Sequence, residues 1–390
     1  MKKERIEQLD SLRGLAALIV LFHHYFYIIP TLYQKSPALT PSEYLIKFTP
    51  LHIFWAGSEA VMFFFVLSGF VLALPFLSGK SIAYIGYMIK RILRIYLPYA
   101  VAVAISIFAA MLFYRGGDIP ELSEWFNSKW DDRFSIEYLL GFATMIFSYN
   151  NGEFNPVLWS LVQEMRVSLI FPLLMYFVIR FNWKYVMAIA VTLSVLGYGL
   201  HYVTYHVNYK NDYFITFHYL LMFTVGAIVA KHRVPIVNYA KQLSSLKITV
   251  LVFIALLCCT YSWWFFPQSS LLHMQMFDEW MSTIGVCVLL ICSIAFDRFK
   301  NVLLIAPIHY LGKISYSLYL YHAIALLIFV NVFYYQLPVP MIWLLALVTS
   351  LLVSSLSYHF IEIPSIKLGQ YYSTKISKPK NQNKDFVQPA

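Results

Sequence analysis

The chain has 390 residues, of which 60% are hydrophobic, 18% aromatic and only 12% charged, against about 25% charged in an ordinary water-soluble domain. That balance excludes a conventional soluble enzyme and makes lipid the solvent for most of the chain. Continuous apolar runs of about 20 residues exclude an outer-membrane barrel, whose strands alternate over about 10. The net charge of +10 does not mark a nucleic-acid binder, because the excess Lys and Arg fall in short loops between apolar runs.

The first apolar segment, LDSLRGLAALIVLFHHYFYII at 9–29, carries Arg13 at one end and His23–His24 near the other. Ionisable groups inside a membrane segment are expensive and are functional candidates by default. Arg13 and His24 are eleven residues apart. At ~100° per residue this is three turns plus ~20°, so they share a helix face about 16 Å apart along the axis. His23 points ~100° away and reads as structural. The run is too long for a signal peptide, ends in aromatics and has no small-residue cleavage site, so it reads as a first anchor.

The second span, 52–77, holds Glu59 near its start and the run FFFVLSGF. A carboxylate there suits a helix start as well as a site. Ser68–Gly69 permits close approach of a backbone or ligand. Without a G-x-S-x-G elbow, packing is favoured over a serine nucleophile. Next comes KRILRIYLP, where Arg91 and Arg94 share one face; they serve either as loop anchors or as a clamp for phosphate oxygens. The third span is 93–113. Glu164 lies in the fourth, 157–179, either paired with Arg166 or a neighbouring helix, or functional. Further spans are 185–206, 213–230, 248–266, 280–296, 314–333 and 340–360. His322, in SLYLYH, is either a packed histidine or part of a site. His201, His206, His218 and His359 read as boundary or packing residues. Cys258, Cys259, Cys287 and Cys292 all fall in apolar segments without a CxxC motif and read as core. No His, Cys and carboxylate set has metal-ligand spacing, so no metal is predicted.

The loop charges set a topology. The stretch 136–150 is short and broken by polar residues; counting it as a span turns the Lys- and Arg-bearing loops after it outward. Left out, as a re-entrant or interfacial helix, it leaves ten spans. Lys2, Lys3, Arg5, Lys80, Lys90, Arg91, Arg94, Arg180, Lys184, the 231–247 loop, Arg298 and Lys300 then lie inside. The 114–135 loop, with Asp118, Glu121, Glu124, Asp131 and Asp132, lies outside. The fold class is therefore an all-α polytopic bundle of about ten helices, one membrane domain over 1–373 with both termini cytoplasmic, and a polar, disordered tail at 374–390. In this topology His24, Glu59 and Glu164 fall in one layer, about 8–11 Å below the outer face, with His322 nearer mid-bilayer. An imidazole among carboxylates is what acid–base chemistry or a proton relay needs.

Six segments together resemble the acyltransferase-3 integral membrane acyltransferases: LDSLRGLAALIVLFHH, FFVLSGF, RILR, LWSLVQE, LGKISYSLYLYH and SYHFIEIP, in family order from residue 9 to residue 364. The resemblance implies transfer of an acyl group, usually acetyl, from cytoplasmic acyl-CoA as donor co-substrate. The acceptors it implies are hydroxyls of cell-envelope carbohydrates such as O-antigen, exopolysaccharide or peptidoglycan sugars, at the bacterial cytoplasmic (inner) membrane; other members modify small molecules. It makes His24 the catalytic histidine, assisted by Arg13, with Arg91 and Arg94 holding the donor. Some relatives carry an additional extracytoplasmic hydrolase-like domain, and this chain is read as lacking one. Glu164 is the carboxylate expected to orient His24, with Glu59, Ser68, Trp159 and His322 as further candidates. His24 would act as general base or carry the acyl group itself. The alternative from another class is a transporter or flippase of a lipid-linked saccharide or anion, against which the absence of an internal repeat counts.

Overall fold

A computed structural model describes residues 6–34, 39–79, 82–130, 136–146, 154–206, 212–265 and 274–377. Among these residues all regular structure is helical: α1 (Glu7–Tyr27), α2 (Pro30–Tyr33), α3 (Pro41–Lys47), a 3-10 turn (Pro50–Trp55), α4 (Gly57–Leu77), α5 (Tyr84–Phe113), α6 (Glu124–Asn127), α7 (Ile136–Thr144), α8 (Leu158–Arg180), α9 (Trp183–His206), α10 (Ile215–Lys231), α11 (Arg233–Ala240), α12 (Ser245–Phe265), α13 (Gln275–Ala295), α14 (Asp297–Leu303), α15 (Ala306–Phe333), α16 (Val339–Ser357) and α17 (Ile363–Ser377). Helices are the expected solution in lipid, where each backbone polar group must find its partner within the segment.

Seven of these helices are long and apolar enough to cross a membrane, and α10 with α11, bent by 72°, makes up to eight. The expected count of ten is thus not reached by length and composition. Of the two remaining segments, α1 carries Asp10, Arg13 and two histidines, and α12 falls among the shorter apolar helices, with Ser245–Tyr261 as its stretch among the described residues. Helix α7 has nine residues, a rise of about 14 Å, less than half of a bilayer core of about 30 Å. Helix α16 continues through a π-helical turn at Tyr358–Glu362 into α17. Helix α17 runs to Ser377, four residues into the segment read as a tail. The charges at Lys2, Lys3, Arg5, Lys80, Asp131 and Asp132, and positions 378–390, lie outside the described residues.

Burial separates centre from periphery. In the apolar window of α15 67% of residues are buried, against 22% in α9 and in the segment containing α16. Glycines permit the tightest crossings. A Cβ on Gly312 of α15 would lie 2.5 Å from the Asp10 carbonyl oxygen of α1, and one on Gly14 would strike the Gly312 backbone. Gly69 of α4 lies against the Phe223 backbone of α10, and Gly226 of α10 against the Val66 and Phe70 backbone of α4, so the Ser68–Gly69 pair does admit a neighbouring helix. Such small-residue contacts are the usual means of close helix association in lipid.

Candidate functional site

Gly14 meets Gly312, and ten residues farther along both helices His24 meets His322. Helices α1 and α15 therefore run parallel and in register. His24 Nδ1 lies 2.9 Å from His322 Nε2, and His322 Nδ1 lies 2.9 Å from the Leu318 carbonyl oxygen. The His24 ring meets His322 edge to edge through this contact (centroids 5.1 Å apart, planes 27° apart) and lies nearly parallel to Trp125 of α6 (5.3 Å, 17°). His24 is 8% exposed and His322 fully buried. Among the described residues His24 Nε2 carries no hydrogen bond, yet it is not sealed from solvent. One nitrogen of the histidine is thus fixed and the other is open.

Trp125 is brought there by a helix-capping contact. The last carbonyls of a helix have no intrahelical donor. Ser123 supplies two, from its backbone NH to Ile28 O at 3.0 Å and from its hydroxyl to Tyr27 O at 2.5 Å. This seats α6 over the end of α1. His23 turns away, with Nδ1 3.0 Å from the Trp55 carbonyl, as its ~100° offset predicts.

The other end of the α1 face is cationic. Arg13 pairs with Asp10 at 3.3 Å. Arg91 is buried and bonded: Nη2 lies 2.8 Å from Glu164 Oε1, and Nε and Nη2 lie 3.2 and 3.0 Å from Ser168 Oγ. Ser68 donates to the same Glu164 oxygen at 3.2 Å. Arg94 has no hydrogen-bond partner among the described residues and is exposed, within electrostatic reach of Arg13, Arg91, Glu164 and Glu362. Glu362, from the π-helical turn, accepts from Ser317 at 2.9 Å. The two RILR arginines therefore separate: Arg91 is a bonded strut between α5 and α8, and Arg94 is the open charge.

The structure rearranges the expected partners of His24. Its neighbour is His322, at the same level and not deeper. Glu164 is engaged by Arg91 and Ser68. Glu59 accepts from Trp263 Nε1 at 3.4 Å. Arg166 bonds Asp212 at 3.0 Å and the Ile146 carbonyl at 2.8 Å, tying α8 to the end of α7 and leaving Glu164 for Arg91. Trp159 packs edge-on to Phe65 at 6.3 Å and at 5.6 Å from Tyr219, and is partly exposed. His218, read as a boundary or packing residue, lies in a buried network: Nε2 is 2.6 Å from Glu279 Oε2, and Nδ1 is 2.8 Å from Ser194 Oγ, which also accepts from Trp280 at 3.1 Å. No sequence spacing links 194, 218 and 279, and Trp125 lies in a polar loop. Neither had a periodic signal to find it by.

Residues 6–359 match the acyltransferase-3 family model, described as an acyltransferase domain. The chain is 26% identical over 350 residues to the O-acetyltransferase OatA of Staphylococcus aureus strains MRSA252 and NCTC 8325 / PS 47, covering 84% of this chain and 55% of each relative. It spans about half the length of the curated relatives it matches. No solved structure matches the chain. The family match takes in all six motifs nearly to their end, together with the His24 and Arg13 face and the Arg94 charge, and the chain belongs to the acyltransferase-3 family of membrane proteins.

Proposed function

We propose that the protein is a membrane O-acyltransferase. It moves an acyl group, acetyl in the first instance, from cytoplasmic acyl-CoA to a hydroxyl of a cell-envelope carbohydrate, in the bacterial cytoplasmic membrane. The observation that carries this reading is the two-ended face of α1. Arg13 joins the open Arg94 at one end, and His24 presents a partnerless Nε2 about 16 Å away. Acyl-CoA cannot enter hydrocarbon with its phosphates, because buried unpaired charge is prohibitive. The nucleotide stays at the cationic end, held by Arg94 and Arg13, while Arg91 fixes Glu164 behind them. The pantetheine arm then follows the α1 face and delivers the thioester to His24.

There His24 Nε2 takes the proton of the acceptor hydroxyl as its oxygen attacks the thioester carbonyl. The C–S bond breaks, the ester forms, and the proton passes from Nε2 to the departing CoA sulfur. The name of the Staphylococcus relatives supports an acetyl group and an oxygen acceptor.

Parity constrains the crossing count. Parallel α1 and α15 must be separated by an even step in it. With α1 and α12 counted as crossings beside the eight apolar spans and α7 left out, α1 and α15 are the first and ninth; with α7 included, α15 becomes the tenth and the helices would be antiparallel. Ten crossings put both termini on one face, and the Lys- and Arg-bearing loops favour the cytoplasm for it, with the donor at Arg13 and the acceptor beneath α6.

The test is label transfer. Membranes carrying the full chain, given labelled acetyl-CoA, should fix label in an envelope polymer, and His24→Ala should abolish this with expression and insertion intact. Full activity of that variant refutes the reading. Saccharide movement without label transfer supports the transporter instead.

A further inference from the structure

We propose that His322 is a positioning residue that fixes the tautomer of His24, leaving Nε2 as a bare base and Nδ1 as the protonated nitrogen. This rests on the reading of His24 as the group that meets the acceptor hydroxyl. One atom in this chain of contacts has a role beyond choice. The Leu318 carbonyl oxygen only accepts, so His322 Nδ1, 2.9 Å away, carries a hydrogen. A neutral imidazole has one donor and one acceptor nitrogen, so His322 Nε2 holds a lone pair. His24 Nδ1 lies 2.9 Å from that lone pair and donates to it. His24 Nε2 is then the unprotonated nitrogen, and it is the one without a partner. The opposite assignment would set two lone pairs against each other at hydrogen-bond distance.

In a hydrolase triad the orienting group is a buried carboxylate. Here a second histidine, backed by a main-chain carbonyl, performs that task without a negative charge. A buried carboxylate is costly inside a membrane unless paired, and Glu164, the carboxylate expected to orient His24, is engaged by Arg91. The device is local: Leu318 and His322 are four residues apart on α15, and the carbonyl's second lone pair is available beside its helix bond. Trp125, nearly parallel to the His24 ring, holds its plane. During turnover, the proton gained at His24 Nε2 stays on that nitrogen, and its positive charge is shared with His322, whose Nε2 lone pair accepts the Nδ1–H hydrogen bond. It leaves from Nε2 to the CoA sulfur.

The experiment compares His322→Leu, which removes the acceptor, with His322→Gln, whose amide keeps an acceptor for His24 and a donor for Leu318. Initial rates of label incorporation from saturating acetyl-CoA are measured in membranes carrying the full chain, with folding followed by thermal midpoint. His322→Leu should lower the maximal rate at least about 100-fold, toward the ~10⁴-fold seen when a triad histidine takes the wrong tautomer, with the KM for acetyl-CoA little changed. His322→Gln should stay within about tenfold of the parent. Nitrogen-15 NMR of imidazole-labelled protein in lipid nanodiscs should show His24, identified by its loss in His24→Gln, as the Nδ1–H tautomer, and as a mixture in His322→Leu. Three results overturn the proposal: a His322→Leu rate near the parent's, a folded His322→Gln as inactive as His322→Leu, or an Nε2–H tautomer in the parent. Each leaves the acyltransferase reading standing, whereas an active His24→Ala removes that reading itself.

Discussion

Gly312→Ala perturbs the site without touching it. The added Cβ would lie 2.5 Å from the Asp10 carbonyl oxygen, and ordinary contact begins at 3.4 Å. The obstacle is backbone, which no rotamer change removes, so α1 and α15 must part by about 0.9 Å. A rigid separation of that size lengthens the His24–His322 contact from 2.9 Å to about 3.8 Å, past the limit of a hydrogen bond. Misplacement by about 1 Å costs on the order of 100-fold in rate, and the packing penalty is about 1–3 kcal/mol. The assay is initial label transfer from acetyl-CoA in membranes, normalised to folded protein. Gly199→Ala on α9, where a Cβ meets nothing within 4 Å, is the control; it should leave the rate alone and gain up to about 1 kcal/mol of helix stability. A Gly312→Ala rate within threefold of the parent would show that the close crossing does not position His24.

Arg94→Ala should raise the KM for acyl-CoA about 10- to 100-fold with an unchanged thermal midpoint, since it removes one charged hydrogen bond to the donor, about 1.5–3 kcal/mol. Arg91→Ala should instead lower the midpoint and the folded yield, because it strands Glu164 at a cost of about 3–5 kcal/mol; equal effects of the two substitutions on KM and midpoint would refute their separation into strut and ligand arm. Cysteines at Ser128 and Thr374, both exposed, should react with an impermeant maleimide from opposite faces of the membrane, and labelling from one face would make α7 a crossing.

Composition and pattern were enough for the solvent, the helical class, most of the spans and the family, because lipid leaves a chain few ways to satisfy its backbone. The 3.6-residue period was enough to place Arg13 and His24 on one face and to turn His23 away, since both are properties of a single helix. What lay beyond reach were relations between helices. Depth counted along separate segments put Glu59 and Glu164 at the level of His24 and left His322 deeper, because such counting assumes that each helix starts at the same level. The Gly14–Gly312 crossing sets the true register of α1 against α15, and that register brings His322 to His24. Arg91 and Arg94 share a face in the sequence, yet one is taken by Glu164 and the other is open, because α8 covers only part of that face. The sequence by itself determined which helix bears the Arg13 and His24 face on which the proposed chemistry rests. Only the tertiary structure decided which groups serve it, because hydrogen bonds and ion pairs form over about 3 Å between helices whose spacing no single segment encodes.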